Sequence, residues 1–193
     1  MRKIIKSTLI LTLITLIAGL ALATVYEVTK KPIAAAEEQA KMDAFRAVMP
    51  EADGFETLRD EAATYEGVRI EQVVSARRGD EQLGWALTVT SSEGYGGDIT
   101  VAMGVTPDGT LTGISVISQG ETAGLGAKCA DDEFTSQFAG ITGGVVSYVK
   151  GGAAAEGEVD AISGATITTD AVVSAVNAGL AYVREYYSVE GRA

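Results

Sequence analysis

The chain has 193 residues, 26 acidic against 15 basic, no histidine and one cysteine. A Ser-His-Asp triad, a Cys-His nucleophile pair and a histidine-ligated metal are therefore excluded, and Cys129 alone builds neither an intrachain disulfide nor a zinc ribbon nor a four-cysteine iron–sulfur cluster. The formal charge of −11 also argues against nucleic acid, whose phosphates want a basic surface. Apolar residues make up 47% of the chain, enough to build a core.

Residues 7–26, STLILTLITLIAGLALATVY, carry no charge. At about 1.5 Å per residue such a run covers roughly 30 Å as a helix, the thickness of a bilayer's hydrocarbon core. Arg2, Lys3 and Lys6 precede it, so residues 1–6 are expected as a cytoplasmic tail, 7–26 as a transmembrane helix and the rest of the chain outside the cell membrane. A cleaved signal peptide is the rival reading, because Ala21-Leu22-Ala23 has the small-x-small form of a cleavage site. Both readings export the remainder. Removing residues 1–26 takes away three basic residues and no acidic one, which lowers the net charge from −11 to −14.

Residues 27–66 are expected as a helical connector. Pro32 opens a helix over 33–49, alanines fill it and Pro50 ends it, with Met42, Phe45, Val48 and Met49 at helical spacing. Residues 53–66 look like a loop. From Gly67 to the end, 67–193, the pattern becomes an extracytoplasmic domain of short strands and helices. Residues 68–74 are β-rich. Trp85, Leu87 and Val89 alternate with Ala86, Thr88 and Thr90, and Ile99, Val101, Met103 and Val105 alternate likewise. Pro107-Asp108-Gly109 is a turn, after which 111–118 returns as the hairpin partner. A short helix over 131–139, a strand over 145–149 and a last helix over 171–187 follow. The class is α+β, an antiparallel sheet with flanking helices behind one N-terminal transmembrane helix. Trp85 and Cys129 read as core.

The glycines invite a nucleotide-loop reading, which fails. No Gly-Lys-Ser/Thr tripeptide exists, Gly94-Tyr95-Gly96 continues to Ile99, and Gly124-Leu125-Gly126 continues to Cys129. The clusters at 94–97, 124–126 and 163–166 instead form small-residue loops that let a flat ligand approach the backbone.

The informative stretch is Asp160-Ala161-Ile162-Ser163-Gly164-Ala165-Thr166-Ile167-Thr168-Thr169-Asp170, which runs into the last helix. The residues alone leave two readings open: phosphate held at a helix start, or plain helix capping by Thr168 or Thr169.

Ser-Gly-Ala-Thr-Ile-Thr after Asp160 resembles the flavin-attachment motif of the FMN-binding domain family. The resemblance implies FMN joined through its phosphate, as a phosphoester, to Thr166 by a separate flavin transferase, with Thr168 as the runner-up hydroxyl. Gly94-Tyr95-Gly96-Gly97 and Gly120-Glu121-Thr122-Ala123-Gly124-Leu125-Gly126 resemble two further family segments. In the second, Ala123 replaces the usual proline, and Gln119-Gly120 stands where a histidine is often found. The resemblance spans roughly 67–187 and, with the anchor, is strongest to the G subunits of Rnf-type ion-translocating complexes. The C subunits of sodium-pumping NADH:quinone reductases share the motif but are longer.

What this implies is an electron-carrier subunit of a membrane translocase. It would work beside other membrane subunits of a ferredoxin:NAD⁺ complex, in contact with the lipid bilayer. The implied cofactor-binding residues are Thr166, Ser163, Gly164, Ala165, Thr168, Tyr95, Glu121, Thr122, Gly124, Leu125 and Gly126. Tyr95 would stack on the ring and Leu125 pack against it. Glu121 and Asp98 are read as ring or ribityl contacts or as solvated acids, and Lys128 as a counter-charge to the phosphate or a solvated cation. No catalytic side chain and no metal ligand are expected. Alternatives from other classes are an exported stand-alone flavin reductase and a surface module that binds a phosphorylated ligand without covalent linkage.

Overall fold

Pro32 interrupts nothing. In the structure, a computed structural model that describes residues 2–142 and 144–187, one helix, α1, runs from Arg2–Val48 with Pro32 inside it. The expectation of a helix opening at Pro32 is corrected on this point. Proline in a helix interior removes one backbone hydrogen bond and crowds the preceding turn, but Glu27, Lys30 and Lys31 before it and the alanines after Ile33 are helix formers.

The chain divides into two units, residues 1–40 and 41–193. The described residues of the first are helix alone, with Leu9, Leu13, Leu16 and Leu20 exposed along it, and that helix is long and apolar enough to cross a membrane. Three of its threonines bond back to their own helix. The hydroxyls of Thr8, Thr24 and Thr29 donate to the carbonyls of Ile4, Leu20 and Val25 at 3.0, 2.8 and 2.9 Å, as a helix in hydrocarbon requires.

The second unit is built on β1 (Gly54–Arg59), β2 (Ala63–Tyr65), β3 (Val68–Arg78), β4 (Glu81–Gly94), β5 (Gly97–Val105) and β6 (Leu111–Ser118). They form one antiparallel sheet in the order β1-β3-β4-β5-β6, with β2 also paired to β3. The stretch 53–66, expected as a loop, thus supplies two strands. Both lie along β3, and β1 carries a register shift between Thr57 and Arg59. Half-exposed strands of this kind hold only scattered apolar residues, here Phe55, Leu58 and Tyr65, so alternation is invisible in the sequence. The β5–β6 hairpin stands as expected, with Gly104 opposite Gly113 and Met103 opposite Ile114.

After the sheet come two 3₁₀ turns flanking α2 (Asp132–Thr135), the parallel pair β7 (Ser147–Val149) and β8 (Glu158–Asp160), and α3 (Thr166–Tyr186). Asn177 of α3 ties in the segment before β7. Its side chain accepts from the Val146 amide at 2.7 Å and donates to the Val146 carbonyl at 2.8 Å.

Both faces of the central strands are covered, which explains why β3, β4 and β5 are apolar at odd and even positions alike. On one face Val73, Leu87, Val89, Val101 and Met103 pack in a single core with Val172, Val176, Leu180 and Val183 of α3, together with Trp85 and Cys129. On the other, Ala44, Phe45, Val48 and Met49 at the end of α1 cover Val74, Ala76, Ala86 and Ala102. Three alanines in that floor let the helix end come close, and the Thr112 hydroxyl donates to the Val48 carbonyl at 2.5 Å, satisfying a helix-terminal acceptor. Residues 41–49, expected within a connector, are therefore a layer of this core. The last six residues of the expected 67–193 span lie outside the described residues.

Phe45 is 1% exposed and meets Phe55 at 5.8 Å between ring centroids. Replacing it with alanine should lower the stability of the unit by about 3–5 kcal/mol. Urea unfolding of the solubilised full chain checks this, and an unchanged midpoint would show that the end of α1 is a stalk.

Candidate functional site

The loop from β8 into α3 turns at Gly164, whose φ of +77° is left-handed backbone that a side chain would strain, and the Ala165 amide closes the turn on the Ile162 carbonyl at 3.0 Å. α3 begins at Thr166, five residues before the sequence pattern suggests. No side chain caps it. Ala165 holds the cap position, and the two threonines expected as caps are engaged otherwise. Thr169 accepts from the Ile162 amide at 3.0 Å and donates to the Ala165 carbonyl at 3.1 Å. Thr168 is 1% exposed and donates to Glu121 Oε2 at 2.6 Å. Thr166, by contrast, is exposed.

Glu121 reaches the other way as well. Its Oε1 accepts from the Gly96 amide at 2.8 Å, and its own amide donates to Gln119 Oε1 at 2.6 Å. One carboxylate thereby joins the β4–β5 turn, the 119–126 loop and the first turn of α3. The glycines make room for it. A Cβ on Gly96 would overlap the Gly120 carbonyl, and one on Gly126 would overlap both the Glu121 carboxylate and the Thr168 hydroxyl.

The three segments enclose a cavity of about 540 Å³, in the range of small-molecule and cofactor sites. Tyr95, Glu121, Thr122, Leu125, Gly164, Ala165, Thr166 and Thr168 of the expected residues line it. Tyr95 is 73% and Leu125 47% exposed, so each presents apolar surface that nothing in the fold covers. Ile167, 54% exposed, lines the same cavity and was not singled out in the sequence. The signal for it was an apolar residue one step past Thr166 at a helix start.

Three expected residues lie elsewhere. Gly126 is buried beneath the cavity, Gly124 is exposed in the turn before it, and Ser163 faces a smaller cavity of about 230 Å³ that Lys128, Asp131 and Asp160 also line. Lys128 is thus on the Ser163 side rather than beside Thr166. Asp98 pairs with Arg69 at 3.3 Å. Behind the site Cys129 is buried, and its thiol is pushed up to about 11, first by burial and then by the Glu121 charge.

The arrangement suits a flat ring with a phosphate tail. Aromatic and aliphatic surface from Tyr95, Leu125 and Ile167 borders the cavity, a free-standing hydroxyl sits at Thr166, and the helix start without a side-chain cap favours an anion there.

Comparison with known proteins bears on the same residues. The family model for the FMN-binding domain matches residues 94–181, a span that contains every residue lining the larger cavity. The model for the RnfG N-terminal region matches residues 1–48. The G subunit of the proton-translocating ferredoxin:NAD(+) oxidoreductase complex of Clostridium ljungdahlii is 30% identical, over 91% of this chain and 89% of that protein. The G subunit of the Na(+)-translocating ferredoxin:NAD(+) oxidoreductase complex of Acetobacterium woodii is 33% identical over the same shares. Among solved structures, the C subunit of the Na(+)-translocating NADH-quinone reductase from Parabacteroides distasonis superposes with a TM-score of 0.50 at 29% identity, over 60% of this chain and 61% of that one.

Two outcomes test the site's construction. Gly126→Ala should push the Glu121 side chain off Thr168 and cost about 1–3 kcal/mol, read as a lower urea midpoint; an unchanged midpoint contradicts the close approach. Folding favours the neutral Cys129 thiol, so its contribution is intact below pH 9.0 and is lost as pH rises toward about 11. Stability should fall across that window, and fall less in Cys129→Ala. A variant with the same slope as the parent would show the thiol to be solvated.

Proposed function

The chain belongs to the G-subunit family of ion-translocating oxidoreductase complexes, and on that premise we propose that it is the electron-carrying flavoprotein of an Rnf-type ferredoxin:NAD⁺ oxidoreductase, with FMN joined through its phosphate to Thr166. The observation that carries the reading is the exposed Thr166 hydroxyl at the mouth of the 540 Å³ cavity, on the first turn of a helix that no side chain caps. Thr168, the other hydroxyl of the motif, is buried and already donates to Glu121.

FMN supplies reversible one-electron and two-electron chemistry that no side chain of this chain offers. The protein's part is to bind and orient. The Gly164 turn sets the direction of Thr166, the start of α3 would favour the phosphate, and Tyr95, Leu125 and Ile167, which line the cavity, would border the ring and shield it from water on that side. The tether keeps the cofactor at high effective concentration whatever its non-covalent affinity, which matters for a domain outside the membrane. A threonine hydroxyl is a weak nucleophile, and the carboxylate that lines the same cavity, Glu121, is bonded to Thr168 and Gly96. A separate flavin transferase therefore makes the bond.

Residues 7–26 serve as the anchor, with Arg2, Lys3 and Lys6 holding the N-terminus on the cytoplasmic side and the FMN domain opposite. That span carries no Asp, Glu, Lys, Arg or His, so the ion crosses through other subunits of the complex.

Expression of the full chain with its flavin transferase, followed by a denaturing gel read by flavin fluorescence, tests the attachment. Parent and Thr168→Ala should fluoresce and Thr166→Ala should be dark. A bright Thr166→Ala with a dark Thr168→Ala would move the linkage to the other hydroxyl.

A further inference from the structure

We propose that Glu121 is a positioning residue that draws the Tyr95 turn against the start of α3 before flavin arrives, and that its unpaired charge lowers the reduction potential of the flavin held there. The inference rests on the flavin reading above for its second half only. The first half stands on the flavin-free fold.

The β4–β5 turn has no ladder partner beyond its own hairpin. The Gly120 backbone packs against it, and the side-chain hydrogen bond that reaches it from the rest of the site is that of Glu121 Oε1, accepting from the Gly96 amide at 2.8 Å. The same carboxylate accepts from the Thr168 hydroxyl through Oε2 at 2.6 Å, and Gln119 fixes its backbone at 2.6 Å. Each oxygen thus has its own donor, on two elements 72 residues apart in sequence, Gly96 and Thr168. Hydrogen bonds to a charged acceptor are the strong class. Tyr95 and Thr166 flank the two donors in sequence, so holding Gly96 and Thr168 to one side chain fixes the width of the cavity between them. Glu121 is also part of the cavity wall.

Among the described residues no ion pair includes Glu121. Its negative charge is solvated by neutral donors only and faces the space the ring would fill. Adding an electron to a ring beside a fixed negative charge is unfavourable, so this carboxylate makes the bound flavin harder to reduce.

Glutamine separates the two effects. Glu121→Gln keeps an oxygen for the Gly96 amide and a polar group at Thr168 while removing the charge; Glu121→Ala removes everything. The full chain is solubilised from cells without the transferase and from cells with it. In the flavin-free material, hydrogen exchange at the Gly96 amide should quicken by about tenfold or more in Glu121→Ala and stay near the parent in Glu121→Gln, with core amides such as Met103 unchanged in all three. Unaltered Gly96 exchange in Glu121→Ala, or equal quickening at every amide, overturns the positioning role. In the flavin-loaded material, Glu121→Gln should shift the reduced-to-oxidised ratio at a fixed ambient potential about tenfold toward reduced, equivalent to about 59 mV per one-electron step. A ratio that does not move, or moves toward oxidised, overturns the charge effect. A parent chain that carries no flavin under these conditions refutes the function proposed above, while the exchange measurement still decides whether Glu121 holds Gly96.

Discussion

One carboxylate holds the functional end of this fold together. Glu121 accepts at once from a backbone amide in the β4–β5 turn and from a hydroxyl in the first turn of α3, and it sits in a loop that belongs to neither. The three segments come from distant parts of the chain. Without a polar bridge each would be a separate surface loop with the mobility loops ordinarily have. With it they face one another across a cavity that the Tyr95, Leu125, Thr166 and Ile167 side chains line together. The small residues nearby, Gly96, Gly120 and Gly126, are the steric condition for that bridge, because no Cβ fits where the segments meet.

The scaffold beneath is rigid for an ordinary reason. The sheet is covered on one face by α3 and on the other by the end of α1, so its central strands are buried on both sides. β4 and β5 lead directly into the Tyr95 turn, and α3 leads away from Thr166, so two of the three site segments are continuous with core elements. A site carried on such elements keeps its geometry better than one on free loops. The third segment, 119–126, follows β6 and is anchored by turn hydrogen bonds from Leu125 and Ala127 to the Thr122 carbonyl at 3.1 and 3.2 Å. The electron-carrier role proposed above asks little more of the domain than this: a fixed place for the flavin.

Much of this was legible in the sequence, and unevenly so. The β5–β6 hairpin was, because Pro107-Asp108-Gly109 has a turn mechanism and the flanks alternate. So was the body of α3, expected as the last helix. The site segments were legible through resemblance of three short motifs to one family, and eight of the residues expected from them line one cavity while Ser163, Gly124 and Gly126 do not. Other features left no trace. β1 and β2 are half-exposed strands whose polar residues hide their period. The end of α1 shows helical spacing, but spacing alone does not say whether the apolar stripe meets a sheet or a neighbour. The onset of α3 at Thr166 was missed because Gly164, Ala165 and four hydroxyl residues in seven positions resemble a loop. The bonds of Glu121 were out of reach because they join residues far apart in the chain, and a single acid among 26 carries no mark of which two donors it will find. Lys128 was left open between a counter-charge to the phosphate and a solvated cation, because proximity in sequence to Leu125 does not fix which side of the 160–166 loop it faces; it lines the Ser163 cavity.

The most direct test of the account is peptide mapping of the chain purified from its own cell. The account predicts that the peptide containing residues 160–170 carries the mass of an FMN phosphoester and that fragmentation places it on position 166. An unmodified peptide, or flavin mapped to any other residue, would contradict it.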